Sequence, residues 1–202
     1  MKIYFKAINL RTAFELFTRV LLYSRAGLSC QVNNMAEPKL IVFDLDYTLW
    51  PFWVDTHVDP PFHMTSDGKV YDSHNHHVKY YKDVPEILNS LHNSGVKLAI
   101  ASRTCAVTEA SDLTRLFKWD QYFDYRQIYP GSKITHFKKL HVMSGIAYEE
   151  MLFFDDEHRN IADVSSLGVA CQLVPQGINK ESFQTGLQLY RRLKDKREAS
   201  SR

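Results

Sequence analysis

Cysteine is scarce in this chain, with 3 in 202 residues, and Cys30, Cys105 and Cys171 are far apart and odd in number. Scarcity and scatter exclude a disulfide framework and a thiolate zinc site, and they fit a reducing compartment. No apolar run approaches the ~18 residues needed to span a bilayer, which excludes a membrane helix. Neither sign of charge dominates. With 25 Lys+Arg against 23 Asp+Glu the formal net charge is +2, and no basic run interrupts the central part, so a nucleic-acid footprint is lacking. Repeats are lacking, and no tract before the basic tail is of low complexity. What is present, 45% hydrophobic and 24% charged residues, suffices for one domain with a sizeable core.

Residues 1–34 stand apart from the rest. Lys2, Lys6, Arg11, Arg19 and Arg25 face one acid, Glu15, among recurring apolar residues. Two readings stand. In one, the segment is a leader ahead of a natural start at Met35 and the protein is cytoplasmic. In the other it is an amphipathic mitochondrial transit peptide. The domain proper is expected over residues 35–202.

Leu40-Ile41-Val42-Phe43 is a continuous apolar run, which predicts a strand buried on both faces, and it runs into Asp44-Leu45-Asp46-Tyr47-Thr48. Such a strand brings its last residues to the carboxyl edge of a parallel sheet, where α/β folds bind ligands. Two carboxylates there repel each other unless a cation or a shared proton intervenes. An Asx-rich turn is the plainer reading of the same residues.

An irregular stretch from Trp50 to about Lys82 follows, with a hairpin predicted around Ser66–Lys69. Asp83 reads as the N-cap of a helix with Pro85 in its first turn and Gly95 at its end. Val96–Ala101 reads as a second buried strand ending in Ser102-Arg103-Thr104, before a helix over Ala106–Lys118. A short strand over Tyr125–Tyr129 leads to Ser132 as cap of a helix through Met143. Met151–Phe154 is a strand ending in Asp155-Asp156, followed by a helix over His158–Leu167 that stops at Gly168. Val169–Val174 is the last strand and Lys180–Arg197 the last helix. Strands alternating with helices predict a doubly wound α/β fold on a parallel sheet with right-handed crossovers.

That order sends three strand ends and one helix start to a single edge. Asp44, Asp46, Ser102, Lys133, Asp155 and Asp156 therefore converge. Hard carboxylate oxygens suit Mg²⁺, while a hydroxyl, an ammonium and helix N-termini suit phosphoryl oxygens. One carboxylate can attack phosphorus and another can move the proton.

The motifs Phe43-Asp44-Leu45-Asp46-Tyr47-Thr48-Leu49-Trp50-Pro51, Ala101-Ser102-Arg103-Thr104, Ile128-Tyr129-Pro130-Gly131-Ser132-Lys133 and Phe153-Phe154-Asp155-Asp156-Glu157 resemble, in this order, the phosphatases of the haloacid dehalogenase (HAD) superfamily. The eukaryotic magnesium-dependent phosphatase family is the nearer likeness, over essentially Lys39 to the last helix. The resemblance implies Asp44 as nucleophile and metal ligand, and Asp46 as general acid/base whose backbone carbonyl also touches Mg²⁺. It implies Ser102, Arg103 and Lys133 as contacts to the phosphoryl group and substrate, and Asp156 rather than Asp155 as the remaining metal ligand. Thr48 is assigned to the substrate site or to orienting the Asp44–Asp46 turn. Asn160 stands where other members carry an acid, so an outer-shell contact is expected of it.

Read alone, Ser102 caps a strand and Lys133 is a solvated lysine set against a helix dipole. His74, His76 and His77 read as solvated residues of a polar hairpin rather than a closed metal site. Trp50, Phe52, Trp53 and Phe62 line a substrate face or pack the long loop. A cysteine-based tyrosine phosphatase is excluded, since the position six after Cys105 is Ser111 and not arginine.

In superfamily members acting on small metabolites a cap domain is inserted between these motifs. Here neither gap has room for one. An open site for a phosphorylated protein or another bulky phosphorylated substrate, on a monomer, is the expectation, with phosphotyrosine and protein-linked sugar phosphates as candidates. Dehalogenase chemistry does not need Asp46 as proton donor. A non-catalytic phospho-ligand-binding domain is the alternative.

Overall fold

The computed structural model describes residues 37–201. The basic segment of residues 1–34, with its two readings, lies outside the described residues. Five strands form a parallel sheet: β1 (Leu40–Phe43), β5 (Lys97–Ser102), β6 (Tyr125–Ile128), β7 (Met151–Asp155) and β8 (Ala170–Leu173), in the order β6-β5-β1-β7-β8. β1 is central, pairing Phe43 with Ile100 on one side and with Phe154 on the other.

Side chains of a strand alternate between faces, and here both faces are buried. Ile41, Phe43, Leu98, Ile100, Leu152 and Phe154 share one core with α1 (Val84–Ser94), α2 (Val107–Leu116) and α5 (Lys180–Ser200). Leu40, Val42, Ala99, Ala101, Met151 and Phe153 share the other with α3 (Lys133–Ser144) and α4 (His158–Ser165). The predicted doubly wound architecture is the one observed. Two further elements lie in connections: a 3₁₀ turn over Tyr148–Glu150, and a small antiparallel sheet of β2 (His63–Met64), β3 (Val70–Tyr71) and β4 (His77–Val78). The expected hairpin is the β2–β3 connection, closed by the Gly68 amide donating to the Thr65 carbonyl at 2.9 Å. The small sheet belongs to the same compact unit as the main one.

Ser132 caps α3 as expected, its hydroxyl accepting from the Ile134 amide. Gly95 ends α1 with φ of 79°, a left-handed conformation that favours glycine. Asp83 is a correction. It occupies the N-cap position of α1, but its carboxylate accepts from the Lys180 amide at 3.1 Å and makes no cap bond to its own helix. A carboxylate is drawn to whichever orphan N–H lies nearest, and here that is the first turn of α5.

Candidate active site

The carboxyl ends of β1, β5 and β7 and the start of α3 surround a cleft of about 380 Å³ lined by Asp44, Asp46, Ser102, Arg103, Lys133 and Asp156, among others. Asp44 follows the last residue of β1, and its amide donates to the Phe154 carbonyl at 3.0 Å, fixing it against β7. The chain then turns sharply. The Thr48 and Leu49 amides both donate to the Leu45 carbonyl, and Tyr47 adopts a positive φ of 52°. This turn is held by distant segments, because the Ile178 amide donates to the Thr48 carbonyl and the Tyr81 amide to that of Leu49.

Lys133 is buried at the centre. Its ammonium donates to Asp44 Oδ1 at 2.5 Å, stands 3.1 Å from Asp155 Oδ2, and also donates to the Ala101 carbonyl. Burial alone would lower the Lys133 pKa; the two carboxylates more than reverse this and hold it above its usual value. Asp155 is fully buried and its oxygens are taken: Oδ1 accepts from the Glu157 amide, and both oxygens lie 3.0 Å from Asn160 Nδ2. Asn160 Oδ1 in turn accepts from Arg103 Nη1 at 3.1 Å, and Arg103 Nε donates to the Gly131 carbonyl at 2.8 Å. Asn160 therefore joins Asp155 to Arg103.

Asp156 is less buried and lines the cleft. Partial burial, then the charge of Asp155, raises its carboxyl to about 6. Asp46 is raised to about 6 by burial, against the hydrogen bond from Trp50. Among the described residues, Asp44, Asp155 and Asp156 form the one cluster with ligand atoms close enough to share a metal, all within 4.8 Å. One ammonium cannot neutralise three carboxylates, so the donor set and its charge fit a hard divalent cation.

One expected site residue falls elsewhere. Thr48 is fully buried, does not line the cleft, and its hydroxyl has no partner. A substrate contact through that hydroxyl is therefore ruled out in this structure; Thr48 serves the turn through its backbone amide and carbonyl. The histidines of the hairpin make no shared site. The His74 and His76 amides donate to buried Asp72, whose carboxyl they hold below its usual value although burial would raise it. Of the four aromatic candidates, Trp50, Phe52 and Phe62 pack against the core and only Trp53, 50% exposed, lines the cleft. Asp55, Thr56 and Arg159 complete the rim without having been anticipated; nothing in their local sequence separates them from ordinary surface residues.

Over residues 36–193 the chain matches the family described as Acid Phosphatase. The chain belongs to this family. Human Magnesium-dependent phosphatase 1 is 55% identical over 153 residues, covering 76% of this chain and 87% of that protein. A HAD-like hydrolase superfamily protein of Schizosaccharomyces pombe is 45% identical over 149 residues, 68% of this chain and 86% of its own length. Among solved structures, the phosphatase-domain-containing N-terminal part of a Bacteroides fragilis protein, complexed with Mg, superposes with a TM-score of 0.55 at 17% identity. That match covers 76% of this chain and 41% of the other. A HAD-superfamily hydrolase of Ehrlichia chaffeensis gives 0.54 at 13% identity, covering 77% and 98%. These two show the shared fold, in keeping with membership of the HAD superfamily.

Proposed function

We propose that this chain is a magnesium-dependent phosphomonoesterase working through a phosphorylated Asp44. The observation carrying this reading is the convergence on one cleft of Asp44, Asp46 and Asp156 with buried Lys133, in a chain 55% identical to a protein named a magnesium-dependent phosphatase. Asp44 and Asp156, with the Asp46 carbonyl, would hold Mg²⁺, because Asp155 is already engaged by Lys133 and Asn160. When bound, Mg²⁺ supplies charge that offsets the carboxylates and the transferring phosphoryl group.

Each residue then has a task. Ser102, Arg103 and Lys133 bind phosphoryl oxygens and set phosphorus in line with Asp44. An Asp44 oxygen forms the O–P bond as the bond to the leaving oxygen breaks, and the Asp46 carboxyl gives its proton to that oxygen. Asp46, now ionised, takes a proton from water as the water oxygen attacks phosphorus and frees Asp44. A carboxyl raised to about 6 suits both the giving and the taking of a proton near neutral pH.

The open cleft, with no inserted cap domain and with half-exposed Trp53 at its rim, supports a phosphorylated protein, phosphotyrosine foremost, over small free metabolites. Protein-linked sugar phosphates share the same requirement for an open mouth. The test is hydrolysis of p-nitrophenyl phosphate with Mg²⁺ or EDTA, by wild type and by Asp44→Asn. Activity that needs Mg²⁺ and disappears in the variant is expected; turnover surviving Asp44→Asn would refute the mechanism. A panel of phosphopeptides and free sugar phosphates tests the substrate class, and turnover of free sugar phosphates alone would refute it. For location we propose the cytoplasm. A tagged full chain and one starting at Met35 should distribute alike, and mitochondrial import of the full chain alone would contradict this.

A further inference from the structure

Trp50 has no place in the roles above, yet it is fully buried and touches the proposed general acid. Its indole Nε1–H donates to Asp46 Oδ1 at 2.7 Å, and the Val54 amide donates to the same oxygen at 3.2 Å. The indole is held by aromatic neighbours, with Phe52 stacked at 5.4 Å and 3° and Trp119 at 6.1 Å and 13°. A short backbone bridge between residues 46 and 50 fixes the two side chains' origins.

Indole and amide N–H groups can only donate. An oxygen that accepts from both has no room for a proton of its own, so the acid proton of Asp46 must sit on Oδ2. Among the described residues Oδ2 has no hydrogen-bond partner, and Asp46 lines the cleft. We infer that Trp50 is a positioning residue, orienting the Asp46 carboxyl so that Oδ2 alone carries and delivers the proton to the leaving oxygen. This rests on the phosphatase reading and adds to it a residue that never touches substrate.

General acids contribute most where the leaving group is a poor one. Loss of the indole donor leaves Asp46 with only the Val54 amide, and the carboxyl is then free to turn. The experiment measures kcat/KM of the full chain, with Mg²⁺, for aryl phosphates from p-nitrophenyl to phenyl phosphate. kcat/KM reports the step in which the leaving group departs. In Trp50→Phe the value for phenyl phosphate should fall about tenfold more than that for p-nitrophenyl phosphate, part of the 10²–10⁴-fold that general acid catalysis supplies. Trp119→Phe, which disturbs the same stack without touching Asp46, should leave the ratio unchanged. If Trp50→Phe does not fold, a benzothienylalanine at position 50, with sulfur in place of N–H, removes the donor and keeps the shape. Equal losses for both substrates, or no loss, in a folded variant at position 50 would overturn the inference. Absence of magnesium-dependent turnover in the wild type would instead overturn the reading beneath it.

Discussion

Asp44 and Asp155 share the Lys133 ammonium beside Asp156, and neutral side chains around them set how that charge is shared. Asn160 is the clearest case, since its amide binds both oxygens of Asp155 while its carbonyl accepts from Arg103. Asn160→Ala leaves both oxygens of buried Asp155 without their amide partner and should lower stability by about 1–3 kcal/mol in chemical denaturation. His136 offers a separate test on stability. Its Nε2 lies 3.0 Å from the Tyr129 carbonyl and so carries the hydrogen, leaving buried Nδ1 bare and without a partner. Burial, then the charge of Lys133, lowers its pKa to about 4. Between the ordinary value near 6.5 and about 4 the unfolded chain binds the proton and the folded one does not, so His136 costs stability as pH falls through that window. Asp46 and Asp156 act with the opposite sign, but equally in a variant. Urea midpoints at pH 7 and pH 5 should therefore differ less, or shift further towards acid stability, in His136→Gln than in wild type. Local sequence could mark Asp44, Asp46 and Lys133, whose residue types and order carry the chemistry. It could not mark Trp50, because an indole four residues on becomes a partner only once the chain turns back at Tyr47.

At the level of elements, what was legible followed from local physics. Apolar runs became strands buried on both faces, and Ser132 and Gly95 ended their helices through contacts within a few residues. Two features were missed, one because its partner is distant and one because its strand is too short. Asp83 gives its cap bond to a helix 97 residues away, and β4, the third strand of the small sheet, is two residues long, too short to show any alternation. Close approach of α5 to β7 is another long-range feature. A Cβ on Gly186 would stand 2.6 Å from the Phe154 ring, which itself stacks at 5.4 Å on Phe43, the last residue of β1. In an open helix Gly→Ala gains about 1 kcal/mol. Here the overpacking should exceed that gain, so Gly186→Ala should be destabilised by about 1–3 kcal/mol in chemical denaturation.

For the whole molecule, the parallel sheet explains why residues more than a hundred positions apart form one site. Central β1 places Asp44 between the ends of β5 and β7, so that Ser102 and Asp156 arrive from either side. The mouth is left open, with Trp53 braced edge-on by Tyr47 at 5.3 Å and stacked on His57 at 5.3 Å. A rigid exposed ring favours a flat substrate group, so Trp53→Ala should raise KM for a phosphotyrosine peptide by about five- to tenfold while sparing a phosphoserine peptide. The central claim is that phosphorus passes through Asp44. Asp46→Asn should still accept the phosphoryl group from p-nitrophenyl phosphate, whose leaving group needs no proton, yet release it slowly to water. Quenching that variant with Mg²⁺ and substrate, then mapping the label by mass spectrometry after borohydride reduction, should place one phosphoryl group on Asp44. A label elsewhere in the chain, or no label while product is still formed, would contradict the account.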